Sequence, residues 1–300
     1  MTPAEEPEWI CVRIAVRRAD PHPYLADPAR PRILAHRGFV PPGATSLAGP
    51  APAAAAAPTA TPAPFAENTH AAFLAAQHAG ARYLESDGHL TRDGRVVLAH
   101  DSDLSRVAGD PRRIADVTHR ELAAIMADRG GLLTLSEALE AFPEACFNLD
   151  VKAAGAAEPM GRAVAHHAHR VLLTSFSDRW RRTALRAAAR VPGTERPATS
   201  PGRGALVRIL AAVALGGGTG SRPILARAFA GLDALQIPER QGAIRVLTPR
   251  LLAAAHRHGV EVHVWTVNDP ARMRALVDLG VDGIVTDRTD LAVAEFGRPR

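Results

Sequence analysis

The stretch EVHVWTVNDPARMRALVDLGVDGIVTD, residues 261–287, decides the fold. It opens on EVHVWTV (261–267), which reads as a strand, passes through DPARMRALVDLG, which reads as a helix, and closes on GIVTD (283–287), a second strand. Asp269 stands where an N-cap belongs, and Pro270 occupies the first helical position, where a missing N–H costs nothing. A strand, a helix and a second strand imply parallel pairing through a right-handed crossover.

Toward the N-terminus the same rhythm repeats. RILAH (32–36), YLESD from Tyr83, CFNLDV (146–151), RVLLTSF (170–176), RPATS (196–200) and ALQIP (234–238) read as strands. Helical patterns separate them, among them THAAFLAAQHAG (69–80), THRELAAIMA, TLSEALEAF, EPMGRAVAHHA, DRWRRTALRAAAR and TPRLLAAAHRHG. Thr134 lies three residues before Glu137, a capping-box spacing. RVVLAHD follows the Asp93-Gly94 turn and reads as an extra hairpin strand. Eight strand–helix units predict an α/β fold, a (β/α)8 TIM-type barrel with an added β-hairpin after the second strand. A doubly wound open sheet fits less well, because no Gly-rich phosphate loop follows the first strand. We expect an N-terminal arm over 1–30, a barrel over 31–295, and an uncharged Ala/Pro-rich disordered insert at 40–64.

Composition narrows the function. The 300 residues are 47% hydrophobic but only 4% aromatic, so alanine, leucine and valine must fill the core. The formal charge is +5, yet acids are interspersed with the arginines and no basic run carries interleaved aromatics, so no nucleic-acid partner is expected. Cys11 and Cys146 make neither a metal-ligand spacing nor a disulfide framework, and Cys146 reads as core. The acidic N-terminus carries no signal-peptide pattern. No apolar run approaches the ~20 residues that span a bilayer. These features predict a cytoplasmic protein without stable membrane insertion; oligomeric state is not legible.

The chemistry concentrates in YLESDGHLTRDGRVVLAHD, residues 83–101. Strand alternation puts Glu85 and Asp87 on one face, where they repel each other unless a cation lies between them. A hard divalent ion with oxygen ligands meets that need, and His100 at the end of the next run can move protons. In a barrel, His36, Glu85, Asp87, Asp150, Ser175 and Trp265 all end at one mouth. Lys152 is the only lysine in the chain, and it too follows a strand end. Its compact head suits a site crowded by carboxylates and phosphate better than an arginine fork does.

Seven strings occur in order: AHRG (35–38), AENT (66–69), LESDGHLTRDG (84–94), AHD (99–101), NLDVK (148–152), VHVWTVND (262–269) and GVDGIVTD (280–287). From Ile33 to Leu291 this set resembles the glycerophosphodiester phosphodiesterase family. The resemblance implies a (β/α)8 barrel and metal-dependent hydrolysis of small glycerophosphodiesters to an alcohol and sn-glycerol 3-phosphate. It implies that His36 and His100 are the general acid/base pair, and that Glu85, Asp87 and Asp150, with support from Glu67, bind Mg2+ or Ca2+. Arg37 and Lys152 would hold phosphate oxygens, and Trp265 would line the glycerol pocket. Two departures stand out. Ala66 replaces a common proline, and Asp150 stands where many members carry the longer glutamate. A sphingomyelinase D-like phosphodiesterase and a non-catalytic barrel are the alternatives. His89 reads as structural, and His166, His167 and His169 as surface. Asn268 and Asp269 read as a turn and helix cap, and Asp287 as the end of the last strand.

Overall fold

In the computed structural model, which describes residues 21–42, 65–215 and 222–297, the apolar runs become strands in the expected places. The strands are β1 (Arg32–His36), β2 (Tyr83–Leu90), β3 (Val96–Leu98), β4 (Asp103–Leu104), β5 (Asp110–Arg113), β6 (Cys146–Val151), β7 (Val171–Thr174), β8 (Ala198–Thr199), β9 (Ala234–Ile237), β10 (Arg240–Gln241), β11 (Ile244–Arg245), β12 (Glu261–Val264) and β13 (Gly283–Thr286). The helices are α1 (His70–His78), α2 (Ser105–Ala108), α3 (His119–Met126), α4 (Leu135–Ala141), α5 (Ala157–Val164), α6 (Asp178–Ala189), α7 (Arg203–Leu215), α8 (Arg222–Phe229), α9 (Pro249–Arg257), α10 (Pro270–Asp278) and α11 (Thr289–Phe296).

Eight parallel strands run in the order β8-β7-β6-β2-β1-β13-β12-β9. The ladder stops between β8 and β9, but hydrogen bonds span the gap, two of them from Arg196 to the Asp233 carboxylate (2.6 and 3.0 Å). Asp233 N donates to the Thr199 carbonyl (2.9 Å), Thr199 N to the Asp233 carboxylate (3.0 Å), and Gln236 N to the Ser200 hydroxyl (3.0 Å). The result is a nearly closed (β/α)8 barrel. As expected, β3 adds to β2 as an antiparallel hairpin strand.

Period-2 alternation sorts the side chains. Leu34, Tyr83, Cys146, Leu172, Ala198, Ala234 and Val285 cluster inside the barrel. Their neighbours Ala35, Leu84 and Phe147 pack outward beneath α1 and α4–α6, while Leu235, Val262 and Ile284 pack beneath the later helices. The end of the arm is more ordered than its polar composition suggests. Pro23–Leu25 form a short 3-10 turn whose Tyr24 and Leu25 are buried against the barrel floor. There buried Arg32 donates twice to Glu261 (2.7 and 2.9 Å), to the Tyr83 hydroxyl, and to the Leu25 carbonyl (2.8 Å). Residues 1–20 and 43–64, and with them most of the expected insert, lie outside the described residues.

Some boundaries shift. RVLLTSF ends as a strand at Thr174, because the Ser175 hydroxyl donates to the Val151 carbonyl (2.7 Å) and accepts from Ser177 N (3.1 Å). EVHVWTV ends at Val264; the chain then turns so that Asn268 reaches Asp287. The β4–α2–β5 unit and the β10–β11 hairpin were not expected. Both are short and polar and carry no periodic signal.

Candidate active site

The register places the polar strand ends side by side at the mouth. His36 on β1 is the Cα partner of Glu85 on β2; Asp87 on β2 is the partner of Asp150 on β6. Immediately after β1 the backbone turns left-handed at Arg37 (φ 58°) and Gly38 (φ 85°). Arg37 N is thereby free to donate to both the backbone carbonyl (3.1 Å) and the carboxylate (3.0 Å) of Glu85. A Cβ at Gly38 would stand 2.8 Å from Ala72, so α1 can dock closely only on glycine.

The three residues after Ala66 have separate tasks. Glu67 pairs with Arg37 (3.0 Å). Asn68, also left-handed at φ 58°, accepts from the Ser86 hydroxyl (2.6 Å). Thr69 caps α1 by accepting from Ala72 N. Lys152 lies between two carboxylates, 3.0 Å from Asp87 and 2.9 Å from Asp150. Arg37 Nε stands 3.6 Å from the other oxygen of Asp87. Burial, reinforced by the neighbouring Asp87 charge, pushes Glu85 up to about 8. Burial likewise raises Asp150, although Lys152 opposes it.

Each expected catalytic histidine has a carboxylate at Nδ1. His36 Nδ1 meets Asp287 at 2.5 Å, and His100 Nδ1 meets Asp101 at 2.7 Å. Burial would lower the His36 pKa, but the Asp287 hydrogen bond and the Glu85 charge outweigh it, and the pKa is raised. Asn268 holds Asp287 in turn, donating to its carboxylate (2.8 Å) and accepting from its backbone N–H (2.9 Å). Arg106 on α2 pairs with both Asp101 (2.5 Å) and Glu67 (2.6 Å), tying the His100 side to the acid cluster. On the opposite wall Trp265 meets exposed Phe176 edge-on, with ring centroids 6.0 Å apart.

The oxygen donors suit a hard cation in kind. Among the described residues, Asp87 Oδ2 and Asp150 Oδ1 are buried without a hydrogen-bond partner, and Glu85 accepts only from a backbone N–H. Arg37, Lys152 and Arg106 supply the positive charge in this arrangement. Among the described residues no three His, Cys, Asp or Glu side chains are drawn together tightly enough to enclose an ion as they stand.

The family model described as "Glycerophosphoryl diester phosphodiesterase family" matches residues 55–291. The chain belongs to this family. A curated relative from Mycobacterium tuberculosis, "Probable glycerophosphodiester phosphodiesterase 2", is 40% identical over 229 residues, covering 75% of this chain and 83% of its own length. A "Glycerophosphodiester phosphodiesterase" of Bacillus altitudinis is 27% identical over 76% of this chain and 92% of its own length. Among solved structures, the Thermotoga maritima glycerophosphodiester phosphodiesterase superposes with a TM-score of 0.60 at 25% identity, covering 88% of this chain and 97% of that one. The Oleispira antarctica phosphodiesterase, solved with its product sn-glycerol-3-phosphate, superposes with a TM-score of 0.62 at 21% identity, covering 89% of this chain and 97% of that one.

Family membership makes the chain a phosphoric diester hydrolase with the family's barrel. The family match begins inside the Ala/Pro segment, so AHRG lies upstream of it; the β1 pairing to β2 and β13 brings that string back to the mouth. The structure gathers His36, Arg37, Glu67, Glu85, Asp87, His100, Asp150 and Lys152 into one linked neighbourhood. Trp265 stands at the same mouth, joined to Lys152 through Phe176. His89 is buried, its ring bonded to the His100 carbonyl (3.2 Å), in keeping with a structural role. Sequence reasoning missed the orienting groups. In the sequence Asp287 reads as a strand terminator and Asn268 as a turn, and nothing local joins either to His36, 251 residues from Asp287. Phe176 and Arg106 carried no recognised signal.

Proposed function

We propose that this chain hydrolyses glycerophosphodiesters to an alcohol and sn-glycerol 3-phosphate, using a divalent cation and two acid/base histidines. The observation that carries the reading is the pairing of each histidine with its own carboxylate, beside a buried acid cluster at a barrel mouth. With Nδ1 engaged, Nε2 of each ring is left to exchange a proton with substrate. The Oleispira antarctica relative, solved with glycerol 3-phosphate on the same fold, supports the substrate class.

Glu85, Asp87 and Asp150 would hold the cation, with Glu67 in support; Mg2+ and Ca2+ both take such oxygen donors. When bound it supplies Lewis-acid stabilisation of charge developing on phosphate oxygens. Arg37 offers a planar fork to those oxygens, and Lys152 a point charge released from its two aspartates. His36, its proton held by Asp287, serves as general acid toward the leaving oxygen, and His100, oriented by Asp101, as general base. Trp265 gives the apolar glycerol edge a flat wall. We read residues 31–295 as the catalytic barrel with 21–30 as its floor. Among the described residues no helix is long and apolar enough to cross a membrane, and we place the enzyme in the cytoplasm on its low cysteine content, two in the chain, of which Cys146, the one among the described residues, is unpaired.

The test is glycerol 3-phosphate release from a panel of glycerophosphodiesters, with sphingomyelin vesicles in parallel. Turnover of the soluble esters should vanish with chelator and return with Mg2+ or Ca2+. Chelator-resistant turnover would remove the metal from the account, and cleavage of sphingomyelin alone would replace the substrate class.

A further inference from the structure

Phe176 lies just beyond β7 at the mouth, 43% exposed. An exposed aromatic beside a phosphodiester site is a natural cradle for a quaternary ammonium, because the ring face carries negative charge. Here the ring already holds two cations of the chain itself. Lys152 Nζ is 5.2 Å from its centroid and the Arg203 guanidinium 4.6 Å. Trp265 approaches the same ring edge-on, at an interplanar angle of 83°.

Arg203 is held in place from behind. Its backbone N–H donates to the Phe176 carbonyl (3.0 Å). The first turn of α7 is anchored by Asp178, which accepts from Gly202 N (3.2 Å) and Ala205 N (2.8 Å). Its guanidinium makes no ion pair with a carboxylate among the described residues. Lys152 faces Asp87 and Asp150, so Phe176 bridges the acid cluster and an exposed cation on the rim.

We propose that Arg203 and Phe176 form the head-group subsite and select glycerophosphodiesters whose leaving alcohol carries an anionic group over those carrying only an ammonium. This rests on the phosphodiesterase reading above. The ring already carries two of the chain's own cations, so a choline or ethanolamine head meets like charge, while a carboxylate or phosphate finds a guanidinium fork.

Glycerophosphoserine and glycerophosphoethanolamine test this directly, because they differ by a single carboxylate. The quantity read is the ratio of their kcat/KM values on one enzyme preparation, so a loss common to both cancels. The intact enzyme should favour the serine ester about two- to fivefold, as one partly screened charge pair allows. The preference should shrink with added salt. Arg203→Gln should collapse the ratio toward one, and Arg203→Lys should retain part of it. A ratio at or below one in the intact enzyme, or a ratio unmoved in Arg203→Gln, overturns the proposal while the phosphodiesterase reading stands. Failure to cleave either ester, or glycerophosphoglycerol, whose head group is uncharged, with metal supplied brings down both.

Discussion

Asp287 shows what a single residue contributes that the sequence does not display. It follows a strand and looks like a terminator, yet its carboxylate grips His36 Nδ1 at 2.5 Å. Asp287→Asn should therefore lower kcat by about 10²-fold, the scale of general acid–base catalysis, with KM little changed. It should also lower the His36 pKa, so the limb of the pH–rate profile that reports this group moves to lower pH. An unshifted limb would detach Asp287 from the histidine. Glu85 supplies a second residue-level expectation. Burial and then Asp87 push its pKa in the folded protein above that of the unfolded chain, up to about 8. Between the two values the unfolded chain has lost the proton that the fold retains, so the metal-free protein loses stability as pH rises. A bound cation favours the ionised carboxylate and offsets that loss. Added Mg2+ or Ca2+ should accordingly raise Tm more at pH 8 than at pH 6; equal shifts would place the ion away from Glu85.

At the scale of elements, the repeated strand–helix rhythm was legible because apolar period and cap chemistry agree. Thr134 and Glu137 form the expected capping box, and Asp269 and Pro270 open α10 as read. The unread elements are those without a pattern: β4–α2–β5 docks through Leu104 and Val107 on a small apolar cluster, and it carries Arg106 to the site. Helix packing also hides in the sequence. α5 and α6 meet so closely that a Cβ on Gly161 would stand 2.1 Å from the Ala184 carbonyl oxygen. Gly161→Ala should destabilise the protein by about 1–3 kcal/mol, the usual cost of overpacking. Chemical denaturation would read this, and an unchanged midpoint would mean that the helices separate without cost.

For the whole molecule, barrel closure converts distant strings into neighbours. The ordered motifs made the histidines, acids and Lys152 legible, since strand ends share a mouth. The floor was not legible, because Arg32, Tyr83 and Glu261 each look like an ordinary strand start. There, burial opposes ionisation of Glu261, but hydrogen bonds from His263 and Arg32 outweigh it and hold its pKa near 2. The stability it confers is present above the ordinary glutamate pKa and is lost as pH falls toward about 2. Glu261→Gln leaves Arg32 buried and short of a counter-charge, and should cost roughly 3–5 kcal/mol by denaturant titration. Because the floor lies at the opposite end of the barrel from the chemistry, KM should hold. A stable variant with impaired KM would place Glu261 in the wrong role.

In the proposed mechanism, two imidazoles at one mouth share the proton transfers of diester cleavage. Steady-state release of glycerol 3-phosphate by the intact enzyme, His36→Ala and His100→Ala, each checked for an unchanged melting profile, tests it most directly. Each substitution should reduce kcat/KM by at least about 10²-fold at saturating metal. If either variant, folded and metal-loaded, keeps more than about a tenth of the activity, that histidine is not an acid or base in this reaction.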